Sequence, residues 1–183
     1  MERAVMAILP EIIELEEVDL RQFSPPYPNL LKAFLESGGK GLRDFQSFAE
    51  RTLGKEVVGQ FLISLFQYLI IRYRRFNEYQ VVKPAVKVFI TLKGWLNENG
   101  FERDWEKLLS SFIGYLVMMM PAIAENEACE SANAYLTVIR DLAEEASRRF
   151  ESDYYDELLQ KAEENLRALR EKCGISKPER KKC

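Results

Sequence analysis

The sequence predicts an all-α protein, and three observations predict it. Apolar residues recur three and four positions apart through most of the chain, the spacing of one helix face. No segment alternates with period two for long enough to suggest a strand. One stretch, Val57 to Phe76, is apolar nearly all the way round, and a helix without a polar face has to be enclosed by other elements. The expectation is about seven to eight helices around a central apolar helix (55–76), with a C-terminal antiparallel helical hairpin.

Taken in order, Val5, Ile8, Leu9, Ile12 and Ile13 fall at helical spacing, with Pro10 kinking that helix or starting a second. Ser24-Pro25-Pro26-Tyr27-Pro28 stops helix and reads as extended loop. Leu30, Leu31, Phe34 and Leu35 make a short helix ended by Gly38-Gly39, and Leu42 to Leu53 makes another ended by Gly54. The central helix comes next, with Arg72, Arg74 and Arg75 in its last turn, where cations suit the helix dipole. Asn77 is read as the cap of the helix after it, with Gln80 completing a capping-box-like pair. Pro84 either kinks that helix or starts it. Ala85, Val88, Phe89, Leu92, Trp95 and Leu96 then form an apolar stripe, ended by Asn99-Gly100. A further helix runs from Asp104 and is expected to close at Pro121, which opens the next as its first residue.

The last third changes character. Ala128, Ala132, Tyr135, Ile139, Leu142 and Ala146 are spaced like a heptad, and Tyr155, Leu159, Ala162, Leu166, Leu169 and Cys173 repeat the spacing. The phase breaks between Arg149 and Asp153, where Ser152 or Asp153 can cap a new helix. Two such segments around a break predict a hairpin, with one long bent helix as the alternative. Gly174 ends the second segment, and the tail is basic. The domain organisation expected is a helical core over 1–120, the hairpin over 121–174 and a flexible basic tail over 175–183, together one domain.

Composition narrows the chemistry. The chain is 47% apolar and 30% charged, which is globular and not disordered. Its net charge of −3 gives no general attraction to polyanions. With no histidine, Ser-His-Asp and Cys-His catalysis and His-ligated metals are excluded. Cys129, Cys173 and Cys183 are too few and too widely spaced for a structural zinc site. They read as cytosolic thiols that merely pack, a Cys129–Cys173 bridge being the less favoured alternative. Val57–Ile71 and Leu108–Ala124 approach membrane hydrophobicity, but one is short and the other interrupted, so both are read as core helices. The N-terminus lacks a cleavage signal, and cytoplasmic localisation is expected.

Four features compete for function. Ser37-Gly38-Gly39-Lys40-Gly41 precedes a helix, but without a strand or the required Ser/Thr after the lysine it is a helix connection, not a phosphate loop. Glu127, Glu130, Asp141 and Glu144 lie within about 100° on a helical wheel, as Mg²⁺-binding carboxylates of helical hydrolases do; a solvated acidic face is favoured. Arg72, Arg74 and Arg75, with Lys83 and Lys87, form the densest basic region, interleaved with Tyr73 and Phe76. Such residues can grip phosphates and stack bases. Residues Phe61 to Phe101, ending in TLKGWLNENGF, loosely resemble part of the helical core-binding domain of tyrosine recombinases. That resemblance implies no recombinase catalysis, because the catalytic set includes histidine.

The heptad stripes are the fourth feature. Packing on each other or on the core is favoured over an intermolecular seam, since alanine at several stripe positions suits close contact within the chain. Among functional readings the one built on them leads. The chain is expected to be a non-enzymatic helical interaction or adaptor protein, self-associating or binding a protein partner through Tyr155, Leu159, Leu166 and Leu169. A nucleic-acid-binding accessory module using Arg72 to Lys87 is the alternative. No catalytic residue, metal, cofactor or membrane partner is expected.

Overall fold

The computed structural model describes residues 58–98 and 102–176, together with Ser47 and Arg51. Within them the chain is all-α: five α-helices, one 3₁₀ turn and, among the described residues, no strand. Of the helices expected before Val58 only Ser47 and Arg51 are described, both helical and both within the expected Leu42–Leu53 helix. The rest of those helices, the glycine-rich loop at 37–41 and the tail from 177 onward lie outside the described residues. The chain divides into two compact units, one up to Trp105 and the other from Glu106.

In the first unit, α1 (Val58–Phe76) and α2 (Val82–Glu98) are joined by a 3₁₀ turn, Tyr79–Val81. Leu62, Leu65, Phe66, Tyr68, Leu69 and Ile70 of α1 are buried, an arc of roughly 200° at 3.6 residues per turn. This is how the nearly continuous apolar sequence is accommodated: more than half the helix circumference is covered. On α2, which packs against α1, Val82, Ala85, Val86, Val88, Phe89 and Leu92 are buried. Phe66 packs against Phe89 with ring centroids 5.7 Å apart and planes tilted by 54°. Rings so arranged add about 0.5–1.5 kcal/mol beyond the area they bury.

The junction between these helices departs from the expected capping box. Asn77 takes a left-handed conformation, φ 50°, and its N–H donates to the Tyr73 carbonyl at 2.9 Å. Asn77 therefore ends α1 instead of capping α2; asparagine tolerates this conformation better than most residues. Pro84 sits in the first turn of α2 and is buried. In a first turn the missing N–H forfeits no helical hydrogen bond, so Pro84 belongs to the start of a helix and not to a kink.

The second unit contains α4 (Cys129–Arg149), α5 (Asp153–Cys173) and most of α3 (Glu102–Asn126). Pro121, expected from its local preference to end a helix, lies inside α3, which runs on to Asn126. Pro121 is exposed, while Met119, Met120 and Ile123 continue in phase the buried face formed by Phe112, Ile113, Leu116 and Val117. The lost hydrogen bond thus lies on the wet side, where water can replace it, and the packed stripe carries the helix across. The hairpin helices begin at Cys129, not at Pro121.

Residues Phe150 to Ser152 connect α4 to α5. Ala132, Leu136, Ile139, Leu142, Ala143 and Ala146 of α4 are buried, as are Tyr155, Leu158, Ala162, Leu166 and Leu169 of α5. The alanines admit a close approach of the two backbones. Ser152 holds the N-cap position of α5 in extended conformation, with the Tyr155 N–H donating to its carbonyl at 3.0 Å. Gly174, at φ 65°, stops α5: its N–H reaches the Glu171 carbonyl, and the Ile175 N–H reaches Arg170. Those paired bonds are a Schellman stop, in which the left-handed position selects glycine.

The cysteines do not merely pack. Cys129, the first residue of α4, is disulfide-bonded to Cys173, the last residue of α5, with Cα atoms 5.9 Å apart. The bond makes the pair antiparallel and excludes the single bent helix. Among the described residues no helix is long and apolar enough to cross a membrane.

Candidate interaction site on the helical hairpin

The residues proposed from sequence fall into three places. Of the hairpin set, Tyr155, Leu166 and Leu169 are buried, with 8%, 4% and 3% of their surface exposed, and Leu159 is half-buried. The first three are buried within the chain, where α5 packs on α4. Leu158, skipped by the heptad count, is buried instead of Leu159. At about 100° per residue Leu158 and Leu159 flank the arc of Tyr155, Ala162, Leu166 and Leu169, one on each side, and the packing covers the Leu158 side.

The hairpin is also held by polar contacts at both ends. Arg170 donates from Nε to Asn133 Oδ1 at 2.9 Å and from Nη2 to Thr137 Oγ1 at 3.4 Å, linking α5 to α4 near the disulfide. At the other end the Ser147 hydroxyl donates to the Asp156 carboxylate. Both contacts fix the register in which the two helices meet.

At the turn, the hairpin presents a feature that periodicity did not reveal. Ser147, Phe150, Glu151, Ser152, Asp153 and Asp156 line an open depression of about 650 Å³. Phe150 packs against Tyr155 with centroids 5.1 Å apart and planes tilted by 42°, and Tyr154 meets Tyr155 edge-on at 5.3 Å. Tyr154 is 46% exposed, and its hydroxyl lies over Gly114 of α3, where a Cβ would come within 2.6 Å. Partial burial raises the Tyr154 pKa, helped by the neighbouring Tyr155 and Tyr115 hydroxyls. The signal in the sequence is the run Phe150-Glu151-Ser152-Asp153-Tyr154-Tyr155-Asp156, which mixes carboxylates and rings at the break in phase. Carboxylates beside rings suit a cationic side chain through ion pairing and cation–π contact.

The basic region lies in the first unit. Arg72 is committed locally: its Nε donates to Glu78 Oε2 at 3.1 Å, its Nη2 pairs with Oε1 at 2.5 Å, and its guanidinium lies 5.0 Å from the Phe76 ring centre. Arg74 and Arg75 are exposed, whereas Lys83 and Lys87 are half-buried. Thus the turn that orders the α1–α2 junction consumes one of the five cations proposed to face a phosphate chain.

Of the acidic residues on α4 and just before it, Glu127, Asp141 and Glu144 are likewise engaged, while Glu130 is exposed in the first turn of α4. Glu144 accepts from Arg140 at 2.8 Å and from Arg148 at 2.7 Å, Asp141 pairs with Arg140 at 3.0 Å, and Glu127 accepts from the Ser131 hydroxyl at 3.3 Å. Among the described residues no group of His, Cys, Asp or Glu side chains is arranged to hold a metal ion. No family model matches the chain, and no curated protein or solved structure proves similar to it.

Proposed function

We propose that this chain is a non-enzymatic helical interaction protein that engages a basic segment of a protein partner through the turn of its C-terminal hairpin. The observation that carries the reading is the acidic, aromatic depression at Ser147–Asp156, beside the exposed Tyr154 ring. The inward packing of Tyr155, Leu166 and Leu169 supports this shift from the apolar stripe to the turn, with Leu159 left at the margin. The wider architecture belongs to the same proposal: about seven to eight helices, centred on residues 55–76.

Reversing charge at the turn tests it. Glu151→Lys with Asp153→Lys should abolish capture of the partner from an extract of the native cell, while Arg74→Glu with Arg75→Glu should leave it intact. Both variants should keep the far-ultraviolet circular dichroism of the wild type. Equal capture by all three proteins would sink the reading, and a dimer by light scattering, lost in the turn variant, would replace a foreign partner by a second copy. Tight nucleic-acid binding lost in the arginine variant, with no capture that depends on the turn acids, would favour the basic region instead. Because Arg72 is held by Glu78, only weak, salt-sensitive association with labelled DNA or RNA is expected.

A further inference from the structure

We propose that the Cys129–Cys173 bond is a redox-controlled latch on the open end of the hairpin, independent of any partner at the turn. Reduction would release the first turn of α4 and the last turn of α5, leaving the middle of the pair packed.

Both sulfurs terminate helices, and neither cysteine is buried: Cys129 is exposed and Cys173 half-buried. A dithiol reductant can therefore reach the bond without unfolding the chain. Its thiolate attacks one sulfur, forming a mixed disulfide and expelling the other as a thiolate. The second thiol of the reductant then displaces the remaining cysteine. Two electrons pass from the dithiol, which leaves as a disulfide, and Cys129 and Cys173 each end as a thiol.

The packing decides how far the release spreads. Between the two ends, Leu136, Ile139, Ala143 and Ala146 of α4 and Leu158, Ala162 and Leu166 of α5 are buried without any contribution from the cysteine side chains' own helix turns. Toward the open end only Ala132 and Leu169 are buried, with the Arg170 contacts to Asn133 and Thr137 beside them. Beyond Arg170 the last turn of α5 carries Glu171 and Lys172, both exposed, before Cys173 and the Gly174 stop. This outermost turn lacks a buried apolar anchor, so the covalent bond is what ties it to α4. Local opening of so lightly anchored a segment is a low-energy event once the tie is gone.

Hydrogen exchange of the full chain, read by mass spectrometry with and without millimolar dithiothreitol, tests the latch. Alkylation counts the thiols, and a Cys183→Ser background prevents reshuffling through the third cysteine. The expected result, at exchange times too short for 139–166 to exchange in either state, is two new thiols with at least roughly tenfold faster exchange at 130–134 and 169–174. The Cys129→Ser/Cys173→Ser variant should show that pattern without reductant and no response to it. A bond that resists the dithiol in the native chain overturns the proposal. So does reduction without faster exchange at the ends, or a loss of protection spread evenly along both helices.

Discussion

At the residue scale, Asn77 and Tyr68 show how one side chain answers to its surroundings. Asn77 sits at φ 50° between two helices, a conformation that β-branched side chains resist. Asn77→Val should lower the stability of the first unit by about 1–2 kcal/mol, whereas Asn77→Gly should cost little; urea titration measures both. Asparagine is a good cap at either end of a helix, so its identity alone could not tell that it stops α1 instead of starting α2. Tyr68 is buried, and its pKa is raised by that burial, lowered somewhat by Arg72 and raised again by Glu78. The folded chain holds this proton more tightly than the unfolded chain, whose tyrosine ionises near the ordinary value of 10.0. Stability should therefore be flat in this respect below that pH and fall as pH rises through it. Denaturation midpoints measured across the alkaline range should fall less steeply in Tyr68→Phe.

At the element scale, each helix was legible where its apolar stripe was long and its ends were marked. The stripe Ala85, Val88, Phe89 and Leu92 gave α2, and Gly174 gave the stop of α5. Proline misled where only its local preference could be weighed. Pro121 does remove a hydrogen bond, but the stripe from Phe112 to Ile123 packs on both sides of it, and that tertiary contact is invisible in a short window of sequence. The turn site escaped for a similar reason, since its acids and rings obey no helical period and become neighbours only when the chain reverses. Within the hairpin, Leu166 and Leu159 separate core from margin. Leu166→Asp places a carboxylate among buried apolar groups and should melt the hairpin, visible as lost helical circular dichroism. Leu159→Asp should leave it folded, because that side chain is already partly in water.

At the scale of the whole molecule, the division between Trp105 and Glu106 predicts two unfolding events. Scanning calorimetry should resolve two transitions, and millimolar dithiothreitol should lower only the one belonging to the unit with the disulfide. The bond closes a sequence separation of 44 residues, for which chain entropy gives about 4 kcal/mol of stabilisation. A single transition, or equal displacement of two, would contradict the division. Spacing alone cannot show that two cysteines meet, which is why the bridge is the less favoured reading of the sequence. Two helices of 21 residues each, folded back on one another, bring them together. The bond also bears on compartment, since exposed disulfides persist where reductants are scarce.

Joined by backbone at one end and by sulfur at the other, α4 and α5 form a covalent ring with limbs of equal length. Such a ring is a gauge. One residue added to either limb would shift its cysteine by about 1.5 Å along the axis and turn it by about 100° away from its partner. Lengthening is compatible with closure only when both limbs grow together by nearly whole turns, such as about seven residues each, or when the growth is confined to the turn at Phe150–Ser152. Variation in length should therefore gather at the turn that carries the candidate site, while the limbs keep their measure.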